Sequence, residues 1–144
     1  EQLAAMEDVV MVGYPIGLWD NLNNFPLLRR GISASHPAVD FCGKPEGVID
    51  IGAFPGSSGS PVLILNEGTF ATPNGYSIGS RMILLGVLWG GPVRLADGTL
   101  EIVEIPTKQV PIARTSLPVH LGYYIKAREL LVLKEHLFAT FNVK

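Results

Sequence analysis

The sequence predicts an all-β fold, a six-stranded antiparallel barrel with a C-terminal α-helix, and three observations carry that prediction. Short runs rich in Val, Ile, Leu and Met recur between breaks made of Gly, Pro, Asn and Asp, the pattern of strands joined by turns. Hydrophobic residues make up 47% of the 144 and charged residues 17%, which supplies one core and is too apolar for disorder. From Lys126 onward the apolar spacing becomes helical.

Residues 1–144 read as one domain. Glu7–Tyr14 is apolar and β-favouring, and the segment Gly13–Gly17, with Pro15, closes it in a turn. Asp20–Asn24 is a polar loop, with Trp19 and Phe25 expected to anchor its ends. A second strand is expected over about Leu28–Ser35, stopped by Pro37. Val48–Ala53 is a short third strand. Pro61–Asn66 is a fourth, ended by Glu67-Gly68 before a polar loop with Pro73-Asn74-Gly75. Met82–Trp89 is nearly continuously apolar, which suits a strand buried on both faces. Ala96-Asp97-Gly98 reads as a hairpin signal and Leu100–Ile105 as a half-exposed strand, so Val93–Pro118 is expected to be an insertion, a β-ribbon. Val119–Ile125 is the sixth main strand. Beyond it Ala127, Leu130, Leu131, Lys134, Leu137 and Phe138 fall at helical spacing, with Arg128, Glu129 and Glu135 for the wet face, and a closing helix is expected over about 126–139.

Several function classes are disfavoured. The formal charge is −2 without a basic cluster, which leaves no electrostatic footprint for nucleic acid. No run approaches the roughly 18 apolar residues of a membrane-spanning helix. Cys42 is the only cysteine, which rules out an internal disulfide and fits a reducing, cytoplasmic compartment. Cys42, His36, His120 and His136 are scattered without metal-ligand spacing, so no metal or other cofactor is expected. Each histidine reads as a surface or capping residue, and Glu101 and Glu104 as a solvated edge.

The chemistry concentrates in Phe54-Pro55-Gly56-Ser57-Ser58-Gly59-Ser60-Pro61-Val62. A serine attacks a carbonyl only when it is exposed at a tight turn and backbone N–H groups converge on the oxygen that becomes negative. Gly56 and Gly59 bracket Ser58 with the freedom such a turn needs, and Pro61 leads into the next strand. The alternative for such a cluster is an ordinary surface turn.

This stretch, begun by Asp50 eight residues before Ser58, resembles the nucleophile loop of trypsin-like serine peptidases, most closely the bacterial HtrA-like branch. Val10–Gly17, Arg30–Ala34, Gly86–Gly90 and Leu121–Ile125 continue the resemblance in order. It implies the second barrel of a chymotrypsin-like two-barrel fold, with Ser58 as nucleophile and the amides of Gly56, Ser57 and Ser58 as oxyanion donors. Leu88, Trp89 and Gly90 would line the peptide-binding edge, with Gly52 near the floor of the side-chain pocket and Asp50 structural. The histidine and aspartate of the triad would come from an N-terminal barrel upstream of Glu1, as partner to this chain and its peptide or protein substrate. Two departures are Ser57, which carries no charge where animal enzymes have an aspartate, and Ser60 in place of a glycine. Without an acid matched to the pocket floor, small or medium apolar side chains are expected before the cut bond. The competing expectation is a non-catalytic peptide-binding or structural module. Either way the isolated chain is expected to self-associate or to bind the missing barrel.

Overall fold

The computed structural model describes residues 3–72, 74–99 and 112–141. Six strands form a closed antiparallel ring: β1 (Asp8–Gly13), β2 (Leu27–Ser33), β3 (Glu46–Asp50), β8 (Gly122–Lys126), β5 (Gly75–Gly90) and β4 (Pro61–Thr72), in that spatial order. Pairing of Val9, Val10 and Met11 with Ile64, Leu63 and Val62 joins β1 to β4 and closes the ring. A separate ribbon pairs β6 (Val93–Thr99) with β7 (Ile112–Pro118), and α1 (Arg128–Phe141) ends the chain.

Alternation along these strands sends Val9, Met11, Ile49, Val62, Ile64 and Leu88 inward, where they meet Ile51, Leu85 and Tyr124 in one core. Tyr124 is fully buried. A Cβ on Gly47 would fall 2.3 Å from its ring and one on Gly86 2.7 Å, so both glycines are there for the aromatic to lie against bare backbone. A register shift between Val62 and Leu63 carries the ladder past Leu85 and lets it join Leu88 on the inner face.

The six main strands stand where the sequence expects them, and four expectations around them need correction. Asn66 is not the end of β4: the ladder runs to Thr72, pairs Gly68 with Gly79, and makes a long hairpin with β5. The glycines take positive φ as kinks within the ribbon instead of stopping it. Met82–Trp89 is not buried on both faces. Met82 is 72% exposed, because a strand of a single ring has one inner face. Ala96, Asp97 and Gly98 are not a turn, since they pair with Thr115, Arg114 and Ala113 in mid-ribbon; Leu100–Ile105, with Glu101 and Glu104, lies outside the described residues. Finally, the Trp19 and Phe25 rings do not anchor their loop by burial: both are exposed, Trp19 sets its edge against Tyr14, and the loop is closed by the paired backbone hydrogen bonds of Asp20 and Phe25, with the Asp20 carboxylate accepting from the N–H groups of Leu22 and Asn23.

The closing helix forms from Arg128, two residues later than expected, but it buries none of its residues. Its start is tied down by charge: Arg128 Nη2 donates to both carboxylate oxygens of Asp40, at 2.7 and 2.6 Å, and Lys126 Nζ lies 3.1 Å from Oδ1. Within the β4–β5 hairpin Arg81, which lies opposite Asn66, forms a buried ion pair with Glu7 just before β1, and Arg81 Nε also donates to Asn66 Oδ1 at 2.7 Å. Among the described residues no helix is long and apolar enough to cross a membrane.

Candidate functional site

The segment between β3 and β4 folds as two consecutive turns. Ser57 N–H donates to Phe54 O at 2.9 Å, and Ser60 N–H to Ser57 O at 3.1 Å. Each turn has a glycine at its third position, Gly56 with φ +87° and Gly59 with φ +88°, the conformation that a type II turn demands and that side chains resist. Pro55 sits at the second position of the first turn, where its fixed φ is suited. The first turn rests on Tyr14–Gly17: Ile16 N–H donates to Pro55 O at 2.6 Å, and a Cβ on Gly56 would lie 2.8 Å from Tyr14 O. The second is tied to β5, because Gly59 N–H donates to Leu88 O and Leu88 N–H to Ser60 O.

This bonding leaves two amides over. Among the described residues, the N–H groups of Gly56 and Ser58 meet no acceptor, while those of Ser57, Gly59 and Ser60 are all engaged. The N–H of Ser57, the third oxyanion donor expected from the sequence, is the one bonded to Phe54 O. The Ser57 side chain is buried, and among the described residues its Oγ has no partner. Ser58 is exposed, and its Oγ donates to Trp89 O at 3.3 Å. A cleft of about 200 Å³ opens beside it, lined by Val12, Gly13, Tyr14, Gly56, Ser58 and Pro61 among others.

The chain matches no family model, no curated protein and no solved structure.

Of the residues expected along a peptide edge, Trp89 and Gly90 come to the surface and Leu88 does not. Leu88 is 1% exposed, with both backbone groups used by the serine turn. Trp89 is half-exposed and stacks on Tyr123, with centroids 5.9 Å apart, and Tyr123 in turn packs on Phe41 at 6.2 Å. These aromatics, with Cys42, Lys44 and Glu46, line a second cleft of about 270 Å³. Sequence reasoning missed Phe41 and Tyr123. The available signal was the Tyr123-Tyr124 pair on a strand, where alternation must turn one ring in and the other out.

Gly52 is buried, and its carbonyl accepts a 2.6 Å bond from Arg29 Nη1. Arg29 was also missed; burial draws its guanidinium somewhat below its usual pKa. His36 accepts from Ala38 N–H, His120 stands beside Gly52, and His136 is on α1. None of the three bonds Ser58. Asp50 ends β3 and is exposed. Among the described residues, no three His, Cys, Asp or Glu side chains converge as metal ligands would.

Proposed function

We propose that the chain is the serine-bearing barrel of a trypsin-like serine endopeptidase. The observation that supports this most directly is the pattern of amides around Ser58: among the described residues the N–H groups of Gly56 and Ser58 meet no acceptor, while those of Ser57, Gly59 and Ser60 are consumed in holding the turns. Preorganised donors of this kind stabilise the negative oxygen of a tetrahedral intermediate, usually the largest single contribution to acyl transfer. Ser58 Oγ would add to the scissile carbonyl, the leaving amine would depart with a proton, and water would release the acyl group from Ser58.

A hydroxyl needs a base at neutral pH, and no histidine among the described residues fills that role at Ser58. The reading therefore requires a histidine and its orienting aspartate from outside these 144 residues. The same observation favours the second reading, a non-catalytic module that binds peptide along Trp89 and Gly90. One experiment separates them. The chain is expressed with its upstream sequence, and hydrolysis of a peptide ester is measured beside Ser58→Ala, with covalent capture of a fluorophosphonate at Ser58 followed by mass spectrometry. Turnover and labelling that both vanish in Ser58→Ala are expected; peptide binding with neither leaves the binding module as the function.

A further inference from the structure

Strand β4 has an open edge. β5 pairs one side of it from Pro61 to Thr72, but β1 pairs the other side only at Val62, Leu63 and Ile64. The ladder stops there because the chain before Val9 is drawn off towards β2. Glu7 N–H donates to Ser33 Oγ and Ser33 N–H to Glu7 O, both at 2.9 Å, while the Glu7 side chain turns inward to Arg81. Among the described residues no other backbone bonds the β1 side of Leu65–Thr72.

Where β1 and β4 part, they leave a cavity of about 400 Å³, with Asp8, Val10 and Arg30 along one side and Leu65, Glu67 and Thr69 along the other. That is the size of a small-ligand site. Gly68 and the opposite Gly79 take positive φ, and beyond this kink Thr69 still lines the same cavity. β1 carries the cavity at Asp8 and the serine cleft at Gly13, positions about 17 Å apart along a strand, so the two are separate.

Asp8 is paired with Arg30 at 3.1 Å, whereas Glu67 has no cationic partner among the described residues. Two carboxylates and one guanidinium leave the cavity net negative, with Val10 and Leu65 as its apolar walls. An unpaired edge is a template for another extended chain, and side chains of an added strand lie opposite those on the same face. A second copy is poorly suited to be that chain, because symmetric pairing along one edge brings the Asp8 and Glu67 carboxylates of both copies together.

We propose that the β4 edge at Leu65–Thr69 is a docking site for an extended peptide segment that carries a Lys or Arg. The segment adds antiparallel to β4, in the line that β1 leaves empty, and its backbone hydrogen bonds supply the affinity. Its cation stands opposite Glu67, with the methylene stem towards Leu65 and Val10. An acidic residue at that position would meet Glu67 beside a guanidinium already held by Asp8. Ser58 takes no part, so binding is expected whether or not the chain hydrolyses peptides.

The probe is an acetylated, amidated peptide of alternating Thr and Val with Lys at its centre, titrated into the 144-residue chain and followed by backbone amide shifts. Shifts are expected at Asp8, Val10 and Leu65–Thr69. The Lys peptide should bind about fivefold more tightly than its Gln counterpart, as one exposed charge pair allows, and the Glu counterpart more weakly than either. Glu67→Gln, a conservative change at an exposed position, should bring the Lys-to-Gln ratio towards one. N-methylation of the peptide at alternate residues separates strand addition from charge attraction alone: one pattern should retain affinity and the other lose tenfold or more, because only one edge of the peptide meets β4. Equal effects of the two patterns, indifference to the central residue, shifts confined to Trp89 and Gly90, or no binding at millimolar peptide each overturn the proposal. A dimer that Glu67→Gln tightens and that excludes the peptide assigns the edge to a second copy and overturns it as well.

Discussion

Ser58 Oγ donates to the carbonyl oxygen of Trp89 at 3.3 Å, so the nucleophile candidate and the candidate peptide edge are joined by one long hydrogen bond. A bond of that length at an exposed site contributes little and is readily exchanged for a better partner. Ser58→Ala should therefore change the stability of the isolated chain by less than about 1 kcal/mol. Without a base the rate should fall on the order of 10⁶ short of a complete enzyme. Peptide-ester hydrolysis by the purified 144-residue chain should be indistinguishable from that of Ser58→Ala; clear serine-dependent turnover would show that the base lies within the chain.

Glu7 and Arg81 form the most deeply buried ion pair of the described residues, with side chains 4% and 7% exposed. Removing one partner leaves the other charge inside, which costs about 3–5 kcal/mol. Glu7→Ala is expected to lower the urea midpoint accordingly, while the exposed pair Arg30–Asp8 should be worth less than about 1 kcal/mol when broken. Similar losses in the two variants would contradict the burial argument.

Asp40 has its carboxyl held below the usual range, first by the hydrogen bonds from Arg128 and then by Lys126. A folded pKa below the unfolded one contributes stability that is present above about pH 4 and is lost as pH falls through the lower, folded value. Unfolding curves of the wild type should thus steepen in their pH dependence below pH 4 relative to Asp40→Asn. Parallel curves would mean that the clamp on α1 does not form in solution.

The hydroxyl of Tyr124 is buried and has no partner among the described residues, and burial pushes its pKa up to about 12. An unfolded tyrosine ionises near pH 10, so the contribution of this group is fully present below pH 10 and is lost as pH rises towards 12. Tyr124→Phe should be less sensitive in that window. At neutral pH it should be more stable by about 1 kcal/mol, because an unsatisfied polar atom is removed at almost constant shape. A destabilised variant would point to a partner for the hydroxyl, such as an internal water.

Helix α1 shows Leu131 at 63% exposure and Phe141 at 68%, with no residue buried. Fourteen residues are marginal as a free helix in water, so the apolar side needs cover. Sedimentation should report a mass that rises with concentration, and Leu131→Glu should suppress the rise. A chain that stays monomeric throughout and also fails to bind a supplied N-terminal half would remove the case for an uncovered surface.

The sequence by itself determined the six ring strands, the ribbon and the final helix, because alternation, turn residues and a change of apolar period are local properties of the chain. It also singled out Ser58 between Gly56 and Gly59, since a serine turn needs its glycines nearby in sequence. What it could not decide depends on register and on neighbours from elsewhere. Whether Gly68 stops a strand or kinks it is settled by Gly79 lying opposite, and whether Ala96-Asp97-Gly98 turns the chain by β7 pairing through it. That Ser57 N–H is spent on Phe54 O and that Leu88 lies in the core with its backbone bonded to the serine turn are likewise set by neighbours, the register of β5 shifting between Leu88 and Gly90. Arg29 meets the carbonyl of Gly52, 23 residues away in sequence, only because β2 carries it there. A strand shows which side chains share a face; only the closed ring brings one strand's face to another segment's backbone, and the hydrogen bonds made there decide which groups remain free for chemistry.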